Sequence, residues 1–181
     1  RPDSKGTLIS TVSSDHDFLI KGISSIDDIA LLTLQGSGMV GVAGISARLF
    51  GALSQAKVNV ILITQGSSEN TISFAVKPGD SVLARRAIEE AFALEIQAKL
   101  IEKVRVEEKL SIVAVIGENM RNTPGVSGRL FQALGKNGIS VVATAQGSSE
   151  LNISVVVQRE NLDKALNSLH QAFFLSDVKT L

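Results

Sequence analysis

The sequence predicts an α+β fold in which one unit, with the order strand, helix, strand, strand, helix, strand, occurs twice, with helices on one face of antiparallel sheets. Three observations predict it. The pentapeptide Gln65-Gly66-Ser67-Ser68-Glu69 returns unchanged at Gln146-Gly147-Ser148-Ser149-Glu150. Around it, residues 29–92 slide without a gap onto residues 110–173 with about 21 identities over roughly 64 positions, the fixed-period self-similarity of a duplicated unit. Within each copy the hydrophobic period changes in the same order.

The elements follow from that order. Ile29-Ala30-Leu31-Leu32-Thr33-Leu34, bounded by Gly36, is a short apolar run that reads as a buried strand. After a loop, Ile45, Leu49, Ala52, Leu53 and Ala56 fall at the three-and-four spacing of an amphipathic helix preceded by Gly44, and Val126, Leu130, Ala133 and Leu134 repeat it. Residues 58–65 and 71–77 are rich in β-branched side chains and flank Gly66-Ser67-Ser68-Glu69-Asn70, which predicts two strands joined by a hairpin loop. Beyond Pro78-Gly79, Asp80 or Ser81 is placed to cap a second helix carrying Leu83, Ala87, Ala91 and Phe92. Val104 and Val106 then alternate with charges as an edge-like strand. The result is a ferredoxin-like βαββαβ unit in tandem.

Side chains alternate along a strand, so each strand divides into two faces. Val58, Val60 and Leu62 are expected toward the helices, and Asn59, Ile61, Ile63 and Gln65 away from them. In the second copy Ser140, Val142, Thr144 and Gln146 take the places of the latter set. Ile72, Phe74 and Val76 form another apolar, helix-facing row. The mixed rows are ordinary solvated sheet positions or else line a pocket or a subunit contact. A glutamine at the same strand end in both copies favours a site.

Composition narrows the function. With 181 residues, 44% of them hydrophobic, the chain can bury two cores of about 75 residues each. Eighteen basic and 18 acidic residues cancel, which leaves no electrostatic footprint for nucleic acid or an anionic membrane. The lack of cysteine removes disulfides, thiolate nucleophiles and cysteine-based metal sites, and fits a reducing compartment. No leader pattern and no 18-residue apolar run is present, which argues for a soluble, cytoplasmic protein. Beginning at Arg1-Pro2 without a methionine, the sequence reads as a piece of something longer.

Several tempting motifs carry little chemistry. Gly36-Ser37-Gly38-Met39-Val40-Gly41 matches the G-x-G-x-x-G of dinucleotide-binding turns, but the acidic residue wanted about 20 positions on is replaced by Ile61-Leu62-Ile63-Thr64. The second copy keeps only Gly117 of the three glycines, so they are read as loop flexibility beside a pocket. His16 and His170 lack metal-ligand spacing, and no metal site is expected. Ser67, Ser68, Ser148 and Ser149 have no accompanying His/Asp set, so no catalytic residue is assigned and a turn role is expected. Arg48 and Arg129 recur in the helix starts as pairing, subunit or ligand contacts.

A strand, a Gly-containing loop with Ala43-Gly44-Ile45 or Pro124-Gly125-Val126, a helix and a β-hairpin together resemble the ACT domain, a small-molecule-sensing module usually for amino acids. More specifically, Leu62-Ile63-Thr64-Gln65-Gly66-Ser67-Ser68-Glu69 with Ile72-Ser73-Phe74, and Ala145-Gln146-Gly147-Ser148-Ser149-Glu150 with Ile153-Ser154-Val155-Val156-Val157, resemble the regulatory region of bifunctional aspartokinase/homoserine dehydrogenase. Lys21-Gly22-Ile23-Ser24 and Gln171-Ala172-Phe173-Phe174 match that family too, and the resemblance covers essentially the whole chain. It implies an allosteric region that binds threonine, or alternatively lysine, to inhibit the activities on either side. A dimerisation-only ACT module is the other alternative. Effector contacts carry over to Gln65 and Gln146, and to the loops at Ala43, Gly44 and Ile45 and at Pro124, Gly125 and Val126. Asn59 matches an asparagine that other ACT domains turn toward a bound amino acid, with Ser140 in its place in the second copy, and Ile61 and Val142 lie on the same rows. A neutral zwitterion suits amide side chains and free backbone groups, and lysine would more naturally recruit a carboxylate, so threonine leads. Glu69 and Glu150 are the acids near the pockets, and they are read as solvated loop charges.

The resemblance further implies that residues 1–28 are a linker and an N-terminal strand, with Phe18-Leu19-Ile20-Lys21-Gly22-Ile23 completing the second sheet. Residues 29–108 would be the first ACT domain, 109–176 the second, and 177–181 the start of the connection to a dehydrogenase domain. No cofactor is expected in this region, and the parent enzyme would use ATP/Mg and NADP. The expected partners are the amino-acid effector and further copies of the chain, at least as a dimer, with no nucleic acid and no membrane.

Overall fold

Each copy follows the predicted order strand, helix, strand, strand, helix, and the sixth strand follows in the first copy but is supplied to the second by residues 22–26. The computed structural model describes residues 19–118, 120, 123–147 and 151–175. Expectations placed on residues 1–18, including His16, on Ser148, Ser149 and Glu150, and on residues 177–181 lie outside these. The elements are β1 (Gly22–Gln35), α1 (Ile45–Gln55), β2 (Leu62–Gln65), β3 (Thr71–Val76), α2 (Ser81–Ala91), a short α3 (Ala93–Gln97), β4 (Arg105–Ile116), α4 (Val126–Lys136), β5 (Ala143–Gln146), β6 (Asn152–Gln158) and α5 (Leu162–His170). A π-helical turn, Gln171–Leu175, follows α5.

The two halves share one antiparallel sheet of order β2-β3-β1-β4-β6-β5, because β1 and β4 are each long enough to serve both. In β1, Ala30 to Gln35 pair with β3. Leu31, Leu32 and Thr33 pair with Glu107, Val106 and Arg105 of β4, while Gly22 to Ile26 pair with Ile116 to Ile112 further along the same strand. Residues 22–26 therefore stand beside the first strand of the second copy as residues 105–107 stand beside that of the first. The equivalence is close. Lys21 N–H donates to the Ile116 carbonyl and Glu102 N–H to the Gln35 carbonyl, both at 2.8 Å, and Gln35 and Ile116 are matched positions of the repeat. Irregular register between Ile26 and Leu31, and a left-handed Lys109 (φ 58°), mark where the strands pass from one half to the other.

Two glycines permit this closure. A Cβ on Gly36 would lie 2.2 Å from the Leu100 carbonyl oxygen, and one on Gly117 would lie 2.2 Å from that of Leu19. The conserved glycine of the two copies is thus a close backbone approach, which corrects its reading as loop flexibility. Gly38 is likewise pressed against Leu100, whereas Gly41 sits in open space at φ 70°.

Three clusters hold the fold. Ala30, Leu32, Leu34, Ile72, Phe74 and Val76 pack under α1 and α2 around Leu49, Leu53 and Ile88. Val113, Val115, Ile153, Val155 and Val157 pack under α4 and α5 around Leu130, Leu134 and Leu169, and Ile20 and Phe173 join them. The third cluster, with Ile29, Leu31, Leu62, Ala75, Leu110, Ile112 and Val156, lies on the sheet faces that carry no helix. Those faces converge because the sheet curls until its outer strands β2 and β5 approach each other.

Arg48 and Arg129 occupy matched positions and do matched work. Arg48 lies 4.0 Å over the Phe92 ring and pairs with Glu95 at 2.5 Å. Arg129 lies 5.3 Å from the Phe173 centroid and donates to the Ala172 carbonyl. Each ties the first helix of its copy to the end of the second. The Arg48 hydrogen bond, with help from the backbone, holds the Glu95 carboxyl below the ordinary glutamate range.

Two outcomes follow from these contacts. Gly117→Ala forces a Cβ against a backbone carbonyl and should cost about 1–3 kcal/mol, as overpacking does, whereas Gly135→Ala, in open space within α4, should stabilise by about 0.5–1 kcal/mol. Urea midpoints compare the two, and equal stability would refute the close-approach role. For Glu95, the lowered folded pKa means that its contribution is present above the unfolded value and is lost as pH falls through the folded one. Glu95→Gln should therefore flatten the acid limb of a stability profile measured from about pH 6 to about pH 3, and an unchanged limb would count against the pair.

Candidate functional site

The site is set by a bulge that occurs in both copies. Ile61 N–H donates to the Ala75 carbonyl at 2.8 Å, yet Ala75 is also the ladder partner of Leu62, so two residues of the chain oppose one. In the second copy Val142 N–H donates to Val156 at 2.8 Å and Ala143 is the partner of Val156. A bulge shifts the alternation by one residue. Val58 and Val60 pack toward the helices, but Leu62 joins the cluster on the free face. Gln65 lies opposite Ile72 and Gln146 opposite Ile153, and both isoleucines belong to the helix-side cores. Both glutamines thus stand on the helix side of the sheet, at its exposed rim. This corrects the expectation that they point away from the helices. Strict alternation counted from Val58 fails at the extra residue.

The helix starts complete the surroundings. Gly44 (φ 89°) and Gly125 (φ 91°) adopt the left-handed conformation immediately before α1 and α4, where a side chain would be strained. Neither helix has a side-chain cap. In the first copy Ala43, Gly44, Ile45 and Gln65 line one cavity of about 540 Å³, together with Met39, Glu69 and Ile72. In the second copy Ser127 Oγ, from the first turn of α4, reaches Gln146 Oε1 at 3.5 Å. Pro124, Gly125 and Val126 lead into that turn, with Val126 buried.

A wider cleft of about 740 Å³ lies between β2 and β5 on the free sheet face. Gln65, Gln146 and Ile61 all line it, with hydroxyls from Thr64, Thr144 and Ser154, and among the described residues its walls carry no charged side chain. Val142 packs beside the free-face cluster. Asn59 and Ser140 are exposed and belong to the walls of neither cavity. The glutamines and the loop residues are brought together, and the asparagine position is not.

One residue read in the sequence as a solvated loop charge belongs to this site and is exposed there. Glu69 adopts φ 58°, which places its carboxylate back over the loop after β1, where Oε2 accepts a hydrogen bond from Gly41 N–H at 3.0 Å. It forms part of the 540 Å³ cavity wall and is the charged group there. Its recurrence as Glu150 was the available signal. Ser68 stays in the turn, donating to Asn70 Oδ1 at 2.7 Å, and His170 packs against Phe174 with centroids 5.1 Å apart. Among the described residues no group of three or more His, Cys, Asp or Glu could hold a metal ion, and no helix is long and apolar enough to cross a membrane.

Comparison with known proteins places this geometry. The family model for the ACT domain matches twice, over residues 32–92 and 113–173. The bifunctional aspartokinase/homoserine dehydrogenase of Haemophilus influenzae is 39% identical over 173 residues, which cover 96% of this chain and 21% of that protein. The chain thus spans about a fifth of the length of that relative. Among solved structures, the regulatory subunit of aspartate kinase from Thermus flavus superposes with a TM-score of 0.74 at 28% identity, covering 86% of this chain and 99% of that one. Aspartokinase III of E. coli in complex with lysine and aspartate superposes with a TM-score of 0.72 at 25% identity, covering 90% of this chain and 35% of that one. Two matches in one chain, each centred on the same strand, helix and hairpin, establish that it belongs to the ACT domain family, with two ACT domains in tandem.

Proposed function

We propose that this chain is the allosteric, amino-acid-sensing region of an aspartokinase/homoserine dehydrogenase, and that its effector is threonine. The observation that carries the reading is the matched placement of Gln65 and Gln146, each beside the start of a helix without a side-chain cap and each on the wall of a cleft lined, among the described residues, by uncharged side chains. An amide offers both a donor and an acceptor without net charge, as a neutral zwitterion requires. The shared length with a regulatory subunit of aspartate kinase supports a sensing role, and the likeness to the aspartokinase/homoserine dehydrogenase supports a parent with kinase and dehydrogenase activities using ATP/Mg and NADP. In that setting residues 1–28 are linker and exchanged strand, 29–108 and 109–176 the two sensing units, and 177–181 the connection onward, in a cytoplasmic homo-oligomer that feeds back on threonine synthesis. A lysine effector is the second reading, favoured by the lysine complex of the E. coli neighbour.

Calorimetry on the chain with threonine, lysine and NADPH separates these readings: saturable threonine binding is expected, and binding of neither amino acid would refute the proposal. Gln65→Ala and Gln146→Ala each remove hydrogen bonds to a largely desolvated ligand and should cost about 1–3 kcal/mol, or about ten- to a hundredfold in affinity. Both side chains are exposed at the rim, so melting temperatures should hold. In the full-length enzyme the same variants should shift the threonine inhibition curve and leave the uninhibited rate unchanged, since an effector acts only through its different affinity for two states. Unaltered titrations in both variants would place the effector elsewhere.

A further inference from the structure

We propose that Glu69 determines the specificity of the first cavity, its carboxylate being shared between the Gly41 N–H and the α-ammonium group of the bound amino acid. The inference rests on the amino-acid-sensing reading above and deepens it.

Three observations support it. Glu69 is the charged side chain on the wall of the 540 Å³ cavity, on which Gln65, Gly44 and Ile45 also lie. A zwitterion brought there with its carboxylate toward backbone N–H and amide donors leaves an ammonium group to be satisfied, and a carboxylate is the acceptor that meets it with opposite charge. Second, the carboxylate, although exposed, is already held by one partner. One oxygen, Oε2, is engaged by Gly41 N–H at 3.0 Å, which leaves Oε1 and the remaining lone pairs of Oε2 for a ligand. A carboxylate carries about four acceptor positions, so one backbone donor does not exhaust it. Third, the two backbones that meet are both left-handed: Glu69 sits at φ 58° in the hairpin turn, where its N–H donates to the Gly66 carbonyl at 3.1 Å, and Gly41 opposite sits at φ 70° in open space. The hairpin turn and the loop after β1 are thereby joined by one hydrogen bond at the cavity wall, and a ligand ammonium bound to the same carboxylate adds a second tie.

The chemistry distinguishes reading an ammonium group from merely closing a loop. Glu69→Gln keeps an amide oxygen for Gly41 N–H and removes the charge. In a Gln146→Ala background, which weakens the second copy about ten- to a hundredfold so that the first cavity fills first, calorimetry would compare L-threonine with 3-hydroxybutyrate, which lacks the ammonium. The expected result is a loss of threonine affinity of about ten- to a hundredfold on Glu69→Gln with 3-hydroxybutyrate affinity unchanged. Equal threonine affinity with and without the substitution, or equal losses for both compounds, would overturn the proposal. Glu69→Gly suits the backbone angle, removes both roles and should weaken threonine at least as much, so a folded glycine variant of full affinity would overturn it as well. Should lysine be the amino acid that saturates the chain, lysine and 6-aminohexanoate take the same two places. Failure of the wild-type chain to bind either amino acid refutes the sensing role itself, whereas wild-type binding indifferent to Glu69 refutes the specificity role alone.

Discussion

Everything in this molecule depends on the closure of each sheet half by a strand from elsewhere in the chain. In an antiparallel sheet the backbone groups of a strand must find partners, and an unpaired edge inside a core is costly. The first copy takes its closing strand from the residues after α3. The second takes it from the start of β1, Gly22 to Ile26, next to which Lys21 and Ile116 repeat the hydrogen bond that Glu102 makes with Gln35. Gly36 and Gly117 stand at the points of nearest approach, with carbonyl oxygens where a side chain would be. Because β1 and β4 then run through both halves, the two units are one continuous sheet, and neither can lose its closing strand without loosening the other.

That continuity shapes the site. Helices cover one face of each half, and the free faces converge on an apolar cluster that includes Ile29, Leu31, Leu110 and Ile112. Convergence brings the outer strands together and leaves the cleft between them, whose walls are hydroxyl, amide and aliphatic groups. The bulges at Ile61 and Val142 rotate the last residues of those strands so that each glutamine turns to the helix side, toward the loop that begins α1 or α4. An extra residue in a strand is a small change in sequence and a half-turn in side-chain direction.

The copies are matched in scaffold and unmatched in their loops. Arg48 and Arg129 both lie over a phenylalanine at the end of the second helix, but Arg48 pairs with a carboxylate of α3 and Arg129 with a backbone carbonyl. Gly41, whose N–H meets Glu69, corresponds to Asn122 in the second copy, and Ala43 to Pro124. Residues that carry the core are under the same packing constraint twice, while the loop residues are free of that constraint.

The sequence by itself determined the repeat, the order strand, helix, strand, strand, helix within each copy, the buried apolar run of residues 29–34, the helix-facing row Ile72, Phe74 and Val76, and the glycines before each first helix. These are local properties: period, propensity and the need for a left-handed residue act over a few positions and are written there. Tertiary structure alone decided which way Gln65 and Gln146 point, that the exposed Glu69 meets the Gly41 N–H, and that Gly36 and Gly117 serve a close approach. Each of these depends on a partner far along the chain: Ala75 for the bulge, the loop after β1 for Glu69, and Leu100 or Leu19 for the glycines. Counting alternation from Val58 could not register an extra residue that only its pairing across β3 reveals.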